Sequence, residues 1–329
     1  MHRWSTDQVD PKDRFDYWRE VRAKGLFGVT AELGPEQRPH FSGEFSLRRT
    51  GSASLVELRA SPYTVERSAS DIANAPGDSL CIYQQLGGGS RFGGNQEFST
   101  HRGTFATSYS DLPYNTAPLA ADGFHLRILK VPAVDLGPSQ AGLVKASLGD
   151  LVAKPFCEHR PLLPLLASCF RDLIETDDAG EPERARSLVR ALAQLALIER
   201  GLVRPGSRVA MHALRVGRLS LARRLIARNI SRPTLPPALV ADLLGIFVRH
   251  LHILFEATDI SFAQTVTAER LAESRRLLTQ PRQQSISEIA LACGFNSIAT
   301  FYRAFQAAHG MSPGDFRATQ GRYKLQLQR

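Results

Sequence analysis

The chain has 329 residues, 43% of them hydrophobic and 22% charged, which is the balance of a soluble globular protein long enough for two domains. No run of about 18 uninterrupted apolar residues occurs, so no membrane span is expected; the polar segment 1–11 lacks the apolar centre of an export signal. The net charge of +9 is unevenly placed: residues 204–329 carry 18 Lys/Arg against 7 Asp/Glu, while residues 1–203 carry 23 against 25. A concentrated positive surface suits phosphate, because affinity grows with the phosphates neutralised. Cys81, Cys157, Cys169 and Cys293 lie far apart with no C-x-x-C pair, which excludes a structural zinc site and fits reduced thiols in the cytoplasm.

Residues 13–25 read as a short amphipathic helix with Phe15, Trp18 and Val21 on one face. From about 29 to 132 the pattern becomes short apolar or alternating runs cut by Gly, Pro and Asn. Glu44–Arg48, Ser54–Leu58, Ser79–Leu86, Thr104–Tyr109 and Phe124–Val131 predict a small antiparallel β domain. The run Gly87-Gly88-Gly89 has no following helix or Lys-Ser/Thr, so it reads as a hairpin connection, not a phosphate loop. After about Leu143 strands are expected to cease. Helices are predicted over Leu162–Glu175, Glu181–Arg200 and Arg208–Asn229. Leu188, Leu192, Leu195 and Ile198 share a face that suits either internal packing or a dimer seam. The third helix is basic: Arg204 to Ile230 holds seven arginines and no acid.

The segment Ser285 to Arg317 carries the sharpest signal. Ser285 and Glu288 make a capping box, and Ile286, Ile289, Ala290 and Cys293 form one apolar face. Gly294 supplies a tight turn, Asn296 or Ser297 can cap the next helix, and Phe301, Ala304 and Phe305 form its buried side. This is a helix-turn-helix whose second helix can enter a major groove.

Its residues resemble the signature of the AraC/XylS family of bacterial transcription regulators. Ile286, Ile289-Ala290, Gly294-Phe295, Ser297, Phe301, Phe305, Gly310, Ser312-Pro313 and Phe316-Arg317 stand at the family spacing, with Gln306 and Phe316 as mild departures. The resemblance includes an earlier unit in Leu235–Phe255, marked by Ala241, Gly245, Leu251, Leu254 and Phe255. It also includes a connecting helix over Phe262 to Leu278. In the first unit Phe247 stands where a capping Ser is usual, which costs roughly 0.5–2 kcal/mol, and Ile253 where Arg is common. The expected DNA contacts are Arg249, His250 and His252 in the first unit and Asn296, Ser297, Thr300 and Arg303 in the second. Ile298 and Ala299 cannot hydrogen-bond a base, but they can touch thymine methyls.

Arg14-Phe15-x-Tyr17-Trp18-Arg19, Arg102-Gly103-Thr104 to Pro113 and Phe124-His125-x-Arg127 through Pro132 resemble the cupin-like sensing domain of one AraC/XylS subgroup. The expected fold is therefore α+β. It has a cupin-like antiparallel β domain with flanking helices at 1–203 (β part about 29–132, helical part about 143–203) and a basic linker helix at 204–230. An all-α DNA-binding domain follows at 231–329, with units at about 235–255 and 285–307. The expected function is sequence-specific regulation of transcription, as an activator answering a small-molecule effector. The expected partners are double-stranded promoter DNA, RNA polymerase and a second copy of the chain. The alternatives are a β domain that only dimerises, and a cupin enzyme fused to a DNA-targeting tail. His101 and His125 lack a cupin metal set, so no metal, cofactor or catalytic residue is expected. Tyr83, His101, Tyr109 and Arg127 are the candidate pocket residues, although residues of these types more often serve in packing or at the surface.

Overall fold

A computed structural model describes residues 2–93, 97–136, 154–155, 162–176, 180–256, 258–280 and 284–326. The chain forms two compact units, Met1–Val216 and Gly217–Arg329. The division falls inside the basic helix Arg208–Asn229, whereas the sequence suggested boundaries at either end of it.

Two antiparallel sheets make the first unit. The larger has the order β1-β3-β4-β11-β6-β9-β12, with β1 at His2–Ser5, β3 at Gly43–Thr50, β4 at Ala53–Ala60, β6 at Ser79–Gly87, β9 at Phe105–Tyr109, β11 at Phe124–Pro132 and β12 at Lys154–Pro155. The smaller has the order β2-β5-β10-β7-β8, with β2 at Thr30–Glu32, β5 at Thr64–Arg67, β7 at Gly89–Gly93, β8 at Phe98–His101 and β10 at Tyr114–Pro118. Side chains alternate across each strand. Phe45 and Leu47, Val56 and Leu58, and Leu126 and Ile128 therefore face one common core together with Phe15, Trp18, Phe41 and Tyr63.

The first helical segment is α1, Arg14–Trp18, which continues as a π-helix over Arg19–Phe27. Its Phe15 and Trp18 are buried, as the amphipathic face required. Trp18 lies so close to Gly43 that a Cβ there would sit 2.8 Å from the indole ring, so only glycine fits.

Two expectations change, and one element is new. Gly87-Gly88-Gly89 is not a hairpin: β6 belongs to the larger sheet and β7 to the smaller, so the run turns the chain from one sheet into the other. Strands do not cease after Leu143, because Lys154–Pro155 pairs with Ala106 and Thr107. A further helix, α2 at Ala69–Asn74, begins at a capping box of Ser68 with Asp71.

Helices α3 (Leu163–Glu175) and α4 (Pro182–Glu199) cover the other face of the larger sheet. Phe170 meets Phe105 at 5.7 Å between ring centroids, and Arg200 Nε donates to Thr107 Oγ1 at 2.6 Å. Leu188, Leu192, Leu195 and Ile198 are all buried within the chain, so this face is packing and is not open as a dimer seam. Arg48 of β3 donates to the carbonyls of Leu173, Ile174 (3.2 Å) and Thr176 (3.0 Å), satisfying acceptors that the end of α3 leaves open. Cys81 and Cys169 are buried and form no disulfide, and Cys157 lies outside the described residues.

Arg48→Ala strands these carbonyls. Hydrogen bonds from a charged donor contribute about 1.5–3 kcal/mol, so urea unfolding should show a midpoint lowered by that order with the slope unchanged. A loss under about 0.5 kcal/mol would mean that water replaces the guanidinium.

Candidate nucleic-acid interface

In the second unit the C-terminal helix-turn-helix consists of α9 (Ile286–Ala292) and α10 (Ile298–His309). The helix α5 (Arg208–Asn229) enters this unit. The N–H of Glu288 donates to Ser285 Oγ (3.1 Å), and that of Ser285 to Glu288 Oε2 (2.7 Å). These bonds hold the Glu288 carboxyl below the usual carboxylate range. A group with a depressed folded pKa stabilises above its unfolded pKa, so the cap weakens only as pH falls through the acid range.

Gly294 takes φ +79°, and a Cβ there would lie 2.0 Å from the Ile230 carbonyl oxygen. Both the turn and the close approach therefore require glycine. Ser297, not Asn296, caps α10: its Oγ accepts the Thr300 N–H at 3.1 Å and donates to Thr300 Oγ1 at 2.8 Å. The Thr300 hydroxyl proton is thus left to donate outward. Phe301 and Phe305 are fully buried, while Asn296, Ser297, Thr300 and Arg303 are exposed. Burial pushes the Cys293 thiol up to about 11, so it packs as a neutral small hydrophobe.

The N-terminal helix-turn-helix consists of α6 (Pro237–Leu244) and α7 (Val248–Glu256), joined through Gly245 at φ +63°. Val240, Ala241, Leu251 and Phe255 form its core with Ala222 and Ile226 of α5. No side chain can cap α7 from position 247. The Phe247 carbonyl accepts from His250 N (2.9 Å) and Leu251 N (3.2 Å), while its ring is 78% exposed and stands edge-on to His250 at 5.9 Å. Arg249, His250 and His252 are exposed. Ile253 follows the buried Leu251 by two residues, as Arg303 follows Phe301, so an exposed Ile occupies the position that carries Arg in the other unit.

Between them runs α8, Phe262–Leu278, capped by Ser261 and Gln264. Phe262 and Val266 enter the core of the first unit, and Leu271 and Leu278 that of the second. Arg270 donates to the carbonyls of Ile230 (3.2 Å), Arg232 (2.6 Å) and Pro233 (3.2 Å), and its guanidinium lies 5.9 Å from the Phe295 ring. This clamp fixes the segment that Gly294 approaches. Arg270 was legible as part of the connecting helix, but its acceptors lie about forty residues away and leave no local signal.

The four β-domain candidates are not brought together. Tyr83 faces the core, with its hydroxyl accepting from Ser108 Oγ at 3.0 Å. Arg127 pairs in register with Gln84, hence on the opposite face, and binds Glu57 Oε2 (2.6 Å) and Gln84 Oε1 (3.0 Å). Tyr109 is buried against Asp78, and His101 is exposed in the smaller sheet. Among the described residues no group of three or more His, Cys, Asp or Glu could hold a metal ion. Among them, too, no single helix is long and apolar enough to cross a membrane.

A helix-turn-helix domain family matches residues 240–319. Over 96% of its length the chain is 24% identical to the transcriptional activator NphR of a Rhodococcus species, spanning 92% of that protein. Over 93 residues, 28% of each protein, it is 42% identical to the HTH-type transcriptional regulator GlxA of Rhizobium meliloti strain 1021. Its fold is similar to the crystal structure of the AraC-like transcriptional activator CuxR, with TM-score 0.50 and 21% identity over 89% of this chain and 100% of that one. An antiparallel β unit followed by two helix-turn-helix units on one shared helix defines a DNA-binding transcriptional regulator. The chain's fold is AraC-like, and its C-terminal unit carries a helix-turn-helix domain.

Two substitutions should rank the forces at the C-terminal reader. Ser285→Ala removes one cap and should cost about 1 kcal/mol. Gly294→Ala meets both a positive φ and a backbone oxygen, and should cost more. Thermal unfolding compares the two, and a milder effect for Gly294→Ala would contradict the turn geometry.

Proposed function

We propose that the chain is a cytoplasmic, sequence-specific activator that binds a promoter duplex with both helix-turn-helix units and answers a small-molecule effector held by its β unit. The observation that carries this reading is the C-terminal reader. A helix capped at both Ser297 and Gly310 presents Thr300 and Arg303 to solvent from a fully buried pair of phenylalanines. Arg303 reads a base, with guanine N7 and O6 the natural bidentate acceptors. Asn296 and Ser297, at the helix start, lie on phosphate.

In the N-terminal reader Arg249 and His252 project from the exposed side of α7, with His250 beside Phe247. Ile253 and Ile298, 49% and 42% exposed, are apolar readers suited to thymine methyls. The net +11 of residues 204–329 supplies the sequence-independent attraction. Activation is supported by the names of NphR and CuxR as activators, and it implies contact with RNA polymerase. A homodimer is proposed through a surface other than the buried α4 face. The β unit works by sensing rather than catalysis.

Arg303→Ala should cost about 1–3 kcal/mol on the selected promoter site and relax selectivity at one base pair. Wild-type affinity should fall at least about a hundredfold between about 50 and 200 mM salt. Quantitative gel-shift measurements on selected and scrambled duplexes decide both. Unchanged affinity and selectivity in the variant would remove Arg303 from base readout, and a flat salt response would remove the phosphate contacts.

A further inference from the structure

The two readers differ most where the recognition helix begins. Ser297 precedes the buried Phe301 by four residues and caps α10. Phe247 precedes the buried Leu251 by four residues, so it holds the same place in the first reader, and its ring is mostly exposed. It is the one exposed phenylalanine among the described residues. A lone exposed apolar side chain is ordinary. Phe247, however, stands where a cap would stabilise the helix, and it is not alone. Val248 and Ile253 on α7 are also large apolar side chains left exposed.

Helical periodicity sets what these groups face. Leu251, Leu254 and Phe255 are buried, so Arg249, His252 and Ile253 lie on the opposite side of α7. A recognition helix meets base edges with its N-terminal residues, which is where Phe247 and Val248 stand. The Phe247 ring stays out of the core formed by Val240, Ala241, Leu251 and Phe255, and stands edge-on to His250 instead.

Chemistry then narrows the target. Arg249, His250 and His252 are exposed around the apolar group, and α7 has no acidic residue before Glu256. The matching surface is anionic at its rim and apolar at its centre. A major groove lined by thymines has that form, with phosphates at the edges and C5-methyl groups on the floor. Guanine does not match, because Ile253 stands where the second reader offers Arg303, and a hydrocarbon gives N7 and O6 no donor.

We propose that the N-terminal reader recognises an A·T-rich half-site through thymine methyl groups, with Phe247 and Ile253 as its specificity-determining side chains. The inference rests on the reading that both units bind one duplex, and it names what the first of them recognises. The ring that meets the base occupies the position a cap would hold.

The test uses the full chain and its selected promoter site in gel-shift titrations. Each thymine is replaced in turn by uracil, which keeps every hydrogen-bonding group and removes only the methyl. At one or more thymines the wild type should lose about threefold to fivefold in affinity, the effect of one buried methyl. In Phe247→Ser that loss should vanish at one of them, and in Ile253→Ala at a neighbour within the same protected window. Phe247→Ser should also keep or raise the thermal midpoint, because serine can cap the helix as Ser297 does. A structural role for the ring would instead lower the midpoint and leave the uracil losses in place. The inference is overturned if no uracil weakens wild-type binding, or if no uracil loss depends on Phe247; specific binding that persists in either case leaves the two-reader reading standing. Unchanged duplex affinity in Phe247→Ser with lost transcription in a reconstituted assay would turn the ring toward a protein partner, and overturns it too. A wild type that binds no duplex specifically overturns both readings.

Discussion

One helix holds the DNA-binding unit together by belonging to two cores at once. The N-terminal turns of α8 bury Phe262 and Val266 with the first reader, and its C-terminal turns bury Leu271 and Leu278 with the second. A 17-residue helix spans about 25 Å at about 1.5 Å per residue, which is rigid over that length. Each helix-turn-helix packs its core against α8, so moving one recognition helix relative to the other would disturb one of these cores. Arg270 adds to this constraint by tying the middle of α8 to the carbonyls of residues 230, 232 and 233. That same segment leaves no room for a side chain at position 294.

On this common spine the two readers differ in kind. The second starts its helices from Ser285 and Ser297 and offers Arg303. The first starts α7 from a bare Phe247 carbonyl and carries Ile253 at the equivalent place, yet it gathers Arg249, His250 and His252 on its exposed side. Helix capping and exposed polar groups are therefore distributed unevenly. The second unit is the firmer structure, while the first presents more cationic and ring groups. Shared anchoring through α8 lets a poorly capped reader persist, because tertiary burial outweighs the lost cap.

What the sequence made legible was whatever local chemistry determines. The Ser285–Glu288 box, the turn at Gly294 and the 3.6-residue period through Phe301 and Phe305 fix the second reader without distant information. The helices from Leu163 to Leu278 were legible for the same reason. The longer strands of the larger sheet also showed, since β4 and β11 alternate over eight and nine residues. The smaller sheet did not, because its strands run three to five residues and depend on pairing partners for their identity. Nor did the turn of Gly87–Gly89 from sheet to sheet, or the polar strand His2–Ser5, which exists only because β3 offers it a free edge. The buried Arg22 escaped for a different reason. It looks like an ordinary helix-surface charge until the helix is seen to turn it into the core.

The central claim is that two recognition helices, fixed to one spine, read one face of a duplex together. Hydroxyl-radical footprinting of the full chain on its selected promoter site tests it most directly. The account predicts two protected windows whose centres lie about 10–10.5 base pairs apart, on the same face of the helix. A single window, or two windows on opposite faces, would contradict it.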